Sequence, residues 1–311
     1  MTDYPPASWR LLITPPADGA ANMAIDEAIL HVLADGAGHP TLRFYQWEPA
    51  CLSLGYNQPW TDVNELACAS LGYTWVRRPT GGRAILHTDE LTYSIVVPAD
   101  EPRVSGGVVD SYRRLSAGLL AGLRALGADV FQAQEEKVLN PDQGAVCFDT
   151  PSKYEITVRG KKLIGSAQVR RRGMILQHGT LPLTGDLNRI FSCLQLAEPA
   201  PAGAGPHHTG FQDLPEYSTR QDRHLGAAIE SETDYETPKP WSDWLMARAC
   251  TLEQVLGREV PFSEAANALA QGFASALNLR LEPGHLTDDE RSLAEQLRRE
   301  QYTSDRWNRR V

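Results

Sequence analysis

Residues 153–183 read KYEITVRGKKLIGSAQVRRRGMILQHGTLPL. Two Arg-Gly pairs, Arg159-Gly160 and Arg172-Gly173, separate runs rich in β-forming residues. Such a pattern reads as strands joined by tight turns, because glycine takes the positive φ that short hairpin loops require. Upstream, the spacing of Val108, Tyr112, Leu115, Leu119, Leu123 and Leu126 predicts a long helix that Gly127 ends. Further back, YTWVRR (73–78) and LTYSIVV (91–97) are β-rich, while TLRFYQW (41–47) and ACLSL (50–54) read as strands split by Pro49. ANMAIDEAILHVLA (21–34) carries Ile25, Ile29 and Val32 at helical spacing, and Asp62 with Glu65 suggests a capping box for a short helix through Ser70. Hairpins interleaved with helices imply an α+β fold around a central mixed, largely antiparallel sheet flanked by helices.

The segment from Glu198, EPAPAGAGPHHTG, is rich in Pro, Gly and Ala and reads as a loop. Residues 213–240 are polar and weakly periodic, and the chain turns helical again from Trp241. Thr287 with Glu290 opens a last helix with acids in its first turn. The expected organisation is a catalytic domain over 1–198, a linker or loop insertion over 199–240 and a helical C-terminal appendage over 241–311. A net charge of −9 argues against a dedicated nucleic-acid binder. No apolar run reaches the roughly 20 residues of a membrane helix, and MTDYPPASWRLL is not a secretion signal. Five scattered cysteines without a C-x-x-C pair fit a reducing cytoplasm.

Cys147 lies in a turn-rich loop bounded by Asp142, Gly144, Asp149 and Pro151. It reads either as a half-buried, space-filling thiol or as a nucleophile. Residues 153–172 hold seven basic side chains against Glu155 alone. A hairpin there would bring Lys162 back toward the loop, where a cation lowers a thiol's pKa and supplies thiolate. The same cluster also reads as a solvated face, or as a surface that receives an acidic protein partner. In RRPTGGRAILHTDELTYS (77–94), Gly81-Gly82 allows close backbone approach to a ligand or forms a plain turn. His87 and His178 are each open to a binding or a structural reading. His207-His208 has no further ligand at metal spacing, so no metal is expected.

Together, RRPTGGRAILHTDELTYS, CFDTPSKYEI (147–156), GKKLIGSAQ (160–168) and LQHGTL (176–181) resemble the lipoate–protein ligase superfamily, and more narrowly its cysteine-dependent octanoyltransferases. NMAIDEAIL (22–30) is similar to the family's opening helix and QYTSDRW (301–307) to its tail. The resemblance implies the biotin/lipoate protein ligase catalytic fold. It implies transfer of octanoyl from octanoyl-acyl carrier protein to a lysine of a lipoyl-domain protein, such as the glycine cleavage H protein. It assigns Cys147 as the acyl-thioester residue and Lys162 as the group that lowers its pKa. Arg78, Gly81, Gly82, His87, Gly165, Ser166, Ala167 and His178 become the expected substrate-binding residues, in a cytoplasmic monomer without cofactor. Alternatives remain: an ATP-dependent lipoate ligase, which usually has a third glycine where Arg83 stands; an octanoyl amidotransferase between lipoyl domains; or an inactive acyl- or carrier-binding module. Cys193 follows LNRIF, as the nucleophile of another octanoyltransferase branch does, but its neighbours Ser192 and Leu194 depart from that branch's Pro-Cys-Gly pattern, and it reads as apolar filling.

Overall fold

The structure is a computed structural model, and it describes residues 4–132, 155–195 and 239–311. The strands are β1 (Ala7–Ile13), β2 (Thr41–Tyr45), β3 (Cys51–Leu54), β4 (Thr74–Arg77), β5 (Ile85–His87) and β6 (Glu90–Pro98). They continue with β7 (Phe131–Gln132), β8 (Ile156–Val158), β9 (Lys161–Arg171), β10 (Met174–Pro182) and β11 (Leu279–Pro283). Eight of them form one sheet in the order β11-β1-β2-β6-β10-β9-β8-β7, and β4-β3-β5 form a second, smaller one. In the large sheet β1 runs parallel to both β11 and β2, and the other pairs are antiparallel. Both Arg-Gly turns are hairpins: Arg159 and Gly160 take φ of 49° and 78°, and Arg172 and Gly173 take 54° and 74°. Two successive positive φ values match the right-handed twist of the flanking strands.

Helices cover both faces. Helix α1 (Gly19–Ala34) starts on Asp18, whose side chain accepts the Ala21 N–H at 2.7 Å. Helix α2 (Glu65–Ser70) is short, and α3 (Val108–Ala125) is the long helix expected from its leucine spacing. The C-terminal part supplies α4 (Lys239–Arg248), α5 (Leu252–Leu256), α6 (Phe262–Leu277), α7 (Asp288–Leu297) and α8 (Asp305–Asn308). Strand β6 shows how the layers arise. Leu91, Tyr93, Ile95 and Val97 pack with Leu115 and Leu119 of α3 and with Leu269 and Phe273 of α6. Val96 faces the other way, with Leu12, Ile29, Leu30 and Leu176. Alternate residues of a strand serve opposite layers, so a strand covered on both faces reads as one apolar run.

Two local expectations change. The side chain that caps α2 is Asn64, whose Oδ1 accepts the Ala67 N–H at 3.1 Å. Asp62 instead sits in a single 3-10 turn and accepts from Gln58 Nε2 at 2.9 Å. The C-terminal part is also more than helical. Leu279–Pro283 pairs with β1 as an edge strand, and α6 packs into the same core as α3. The short run LRLEP alternates too briefly to outweigh the helical patterns on either side. No helix among the described residues is long and apolar enough to cross a membrane.

Candidate functional site

The sheet face under α1 is apolar at one end and polar in the middle. Arg43 and Tyr45 of β2, Ser94 of β6, His178 of β10 and Asp26 of α1 are all buried there. Arg43 Nη1 donates to Asp26 at 2.7 Å, its Nη2 donates to Asn22 Oδ1 at 2.7 Å, and Tyr45 OH and Ser94 Oγ donate to the Asp26 carboxylate at 3.0 and 2.8 Å. Burial works to raise the pKa of Asp26, but the Arg43 guanidinium and the surrounding donors outweigh it and hold the carboxyl below its usual range. His178 Nε2 lies 2.6 Å from Thr80 Oγ1, and its Nδ1 lies 3.6 Å from Asp26 Oδ2. Burial depresses the His178 pKa, with Asp26 opposing.

Beside this network a narrow cleft opens between the large sheet, the small sheet and α1. Gly165, Ser166 and Ala167 of β9 form one wall, and Arg78, His87 and His178 contribute to the others. The sequence reading did not single out the apolar lining residues Met23, Tyr45, Trp47 and Ile85. Nor did it single out Ser53 or Glu90. His87 Nδ1 lies 2.7 Å from Glu90 Oε1 and its Nε2 lies 2.8 Å from Ser53 Oγ, while Trp47 stacks on the imidazole with ring centroids 3.9 Å apart. A carboxylate on Nδ1 fixes the tautomer that leaves Nε2 as acceptor. This chain of contacts holds the His87 ring flat against the cleft wall.

Gly81 and Gly82 do not line the cleft. They form the turn that Arg78 organises, its guanidinium donating to the carbonyls of Ser53 at 3.0 Å, Gly81 at 2.8 Å and Arg83 at 2.7 Å. A Cβ on Gly55 would stand 1.8 Å from the Gly82 carbonyl oxygen, so the two backbones meet at a distance only glycine permits. Lys162 lies on β9 three residues before Gly165, buried, with Nζ 2.6 Å from Glu155 Oε1. Ile164, between Lys162 and Gly165, packs in the main core. Cys147, the nucleophile that the resemblance assigns, lies outside the described residues, as do His207 and His208. Cys193 is buried against Cys68 and Ile190 in the core beside the small sheet, and its hydrogen bond with Cys68, together with burial, pushes its thiol pKa upward.

This mixed sheet flanked by helices is a fold shared with solved lipoate ligases. The Thermoplasma acidophilum bipartite lipoate protein ligase superposes with a TM-score of 0.71 at 22% identity, covering 97% of this chain and 96% of that one. A lipoate-protein ligase A bound with ATP gives 0.71 at 22% identity, covering 97% and 98%. Residues 18–213 match the model of the lipoyl protein ligase A/B catalytic domain, and the chain belongs to that family. It is 41% identical to octanoyltransferase LipM of Kyrpidia tusciae over 306 residues, covering 97% of this chain and 98% of the relative. It is 34% identical to LipM of Bacillus subtilis over 308 residues, with 97% and 98% covered.

Proposed function

We infer that this chain is an octanoyltransferase of lipoate biosynthesis. It takes octanoyl from acyl carrier protein onto Cys147 and passes it to a lysine of a lipoyl domain. The observation that carries the reading is end-to-end similarity to LipM octanoyltransferases at 34–41% identity. The cleft supports it: glycine and small residues along β9 leave room for a straight chain, and each methylene buried there gains about 0.8 kcal/mol. The archaeal ligase of the same fold is described with its E2 lipoyl domain, and a lipoyl domain is the acceptor we propose here.

The chemistry needs no nucleotide and no metal. An octanoyl thioester is already activated, and exchange onto a cysteine thiol is nearly balanced in free energy. Aminolysis by lysine then converts a thioester into an amide and runs downhill. A covalent intermediate lets donor and acceptor use one surface in turn. The Lys162 ammonium, held by Glu155, is the cation we propose to stabilise the attacking thiolate. We read the enzyme as a monomer.

The test mixes purified protein, octanoyl-acyl carrier protein and apo lipoyl domain without nucleotide. Octanoylated acceptor and a hydroxylamine-labile adduct on Cys147, absent in Cys147→Ser, are the expected results. Modification that requires ATP assigns the chain to the ligases instead. Transfer only from an octanoylated lipoyl domain makes it an amidotransferase.

A further inference from the structure

We propose that Thr180 is a catalytic residue whose hydroxyl donates a hydrogen bond to the carbonyl oxygen of the acyl group in the cleft. The proposal rests on the acyl-transfer reading and adds a residue to it. Thr180 lies in β10, 1% exposed, on the cleft wall. Among the described residues its Oγ1 has no hydrogen-bond partner. Its neighbours are committed. Thr92, directly across the β10–β6 ladder, accepts from the Trp47 indole at 2.8 Å and donates to Glu90. Ser53 is bonded to His87, Thr80 to His178, and Ser166 to Tyr93. Buried hydroxyls are nearly always paired, and an unpaired one on a ligand cleft points to a partner that arrives with the ligand.

Position selects which part of the ligand that is. Thr180 pairs across β9 with Gly165, which has no side chain to cover the hydroxyl. Of the three lining residues of β10, Thr180 lies nearest Lys162 in register: Gly179 faces Ser166, and His178 faces Ala167. Lys162 is about 10 Å further along the strand, at about 3.3 Å per residue, within the combined reach of its own side chain and an acyl head group. A chain lying with its reactive carbon toward Lys162 places its carbonyl at Thr180 and its methyl end toward Ala167.

The role follows from electron movement. As a nucleophile adds to the acyl carbon, the C=O π pair moves onto oxygen. The Thr180 hydroxyl donates to that oxyanion and keeps its own proton. On collapse the pair returns to the carbonyl and the leaving thiolate departs. A preorganised donor in a site closed to water strengthens as charge develops on oxygen, so it lowers the barrier more than it tightens ground-state binding.

Thr180→Val keeps the β-branched shape and removes the hydroxyl, and Thr180→Ser keeps the hydroxyl. In the full-length protein, Thr180→Val is expected to lower kcat about 100-fold, the scale for loss of one oxyanion donor. KM for octanoyl-carrier is expected to change less than about threefold. Thr180→Ser is expected to restore most of the loss, and the Tm of Thr180→Val is expected to equal or exceed that of wild type, because the change deletes an unsatisfied buried group. A structural role would lower Tm and activity together. Wild-type turnover in Thr180→Val, or a fall in Tm that accompanies the loss, overturns the proposal. If the wild type does not transfer octanoyl at all, the acyl-transfer reading fails, and binding of unreactive N-methyloctanamide then decides on Thr180. At least fivefold weaker binding in Thr180→Val, recovered in Thr180→Ser, supports it; equal binding overturns it.

Discussion

Lys162 Nζ and Glu155 Oε1 stand 2.6 Å apart, and both side chains are buried. Removing one member of such a pair strands the other charge away from water and typically costs about 3–5 kcal/mol, whereas replacing both with apolar groups is often neutral. Lys162→Met alone is therefore expected to lower the urea midpoint sharply and to abolish transfer. Lys162→Met with Glu155→Leu is expected to regain stability and to stay inactive. If the double variant recovers transfer along with stability, Lys162 serves the fold and not the chemistry.

Thiol reactivity gives a second expectation. Burial pushes the Cys51 thiol up to about 12 and the Cys250 thiol up to about 11, and Cys193 is also raised. Cys68 is lowered by its hydrogen bond with Cys193, yet it is 1% exposed. Because the thiolate is the reactive form, brief iodoacetamide treatment at neutral pH should label Cys147 first and spare these four. Peptide mapping by mass spectrometry reads the order. Cys193→Ser is expected to retain most transfer. Labelling of Cys193 ahead of Cys147, or loss of transfer in Cys193→Ser, would relocate the nucleophile.

The hairpins were legible because Arg159-Gly160 and Arg172-Gly173 carry a local requirement, two positive φ values in succession. Helix α7 was legible for the same kind of reason: Thr287 accepts from the Glu290 N–H while Glu290 accepts from the Thr287 N–H, a reciprocal cap written in four residues. The cleft was half legible. Gly165 to Ala167 advertise space along a strand. Glu90, Ser53 and Asp26 looked ordinary, because their roles depend on which strands become neighbours, and nothing local encodes that. Arg43 offered the one available hint. It interrupts TLRFY, whose five residues are all buried, and a buried charge demands a buried counter-charge, which Asp26 provides. Glu155 was noted only as the lone acid in a basic window; its pairing with Lys162 spans a hairpin.

The contact between Gly55 and the Gly82 carbonyl makes a prediction about the turn that Arg78 holds. Gly55→Ala places a methyl 1.8 Å from that oxygen, so backbone must move. Strain of this kind typically costs about 1–3 kcal/mol, and here it displaces the segment that Arg78 ties to Ser53. Transfer is expected to fall at least about tenfold by the same displacement, with far-UV circular dichroism unchanged. Gly81→Ala is the stability control, since a Cβ there meets nothing within 4 Å among the described residues. Its urea midpoint should match wild type. A Gly55→Ala variant with full activity would show that the turn tolerates movement.

His178 and Asp26 both make stability fall on the acid side of the pH profile, in two different windows. His178 is held below its ordinary value of 6.5 by burial. The unfolded chain therefore binds a proton at this residue at a higher pH than the folded chain does. Its contribution is complete above about 6.5 and is lost as pH falls toward the depressed folded value. Asp26, also lowered, contributes above its ordinary 3.8 and loses that contribution only as pH falls through its folded value. The groups facing His178 are Asp26, Thr80, Arg78 and His87, and of the charged ones only Asp26 favours the imidazolium. The difference in unfolding free energy between wild type and His178→Asn isolates the residue from the other seven histidines. That difference is expected to change in favour of wild type as pH rises from 5 to 7, and to be flat above about 7. A difference that changes the opposite way would mean that His178 is charged in the folded protein, paired with Asp26 across the 3.6 Å that separates them.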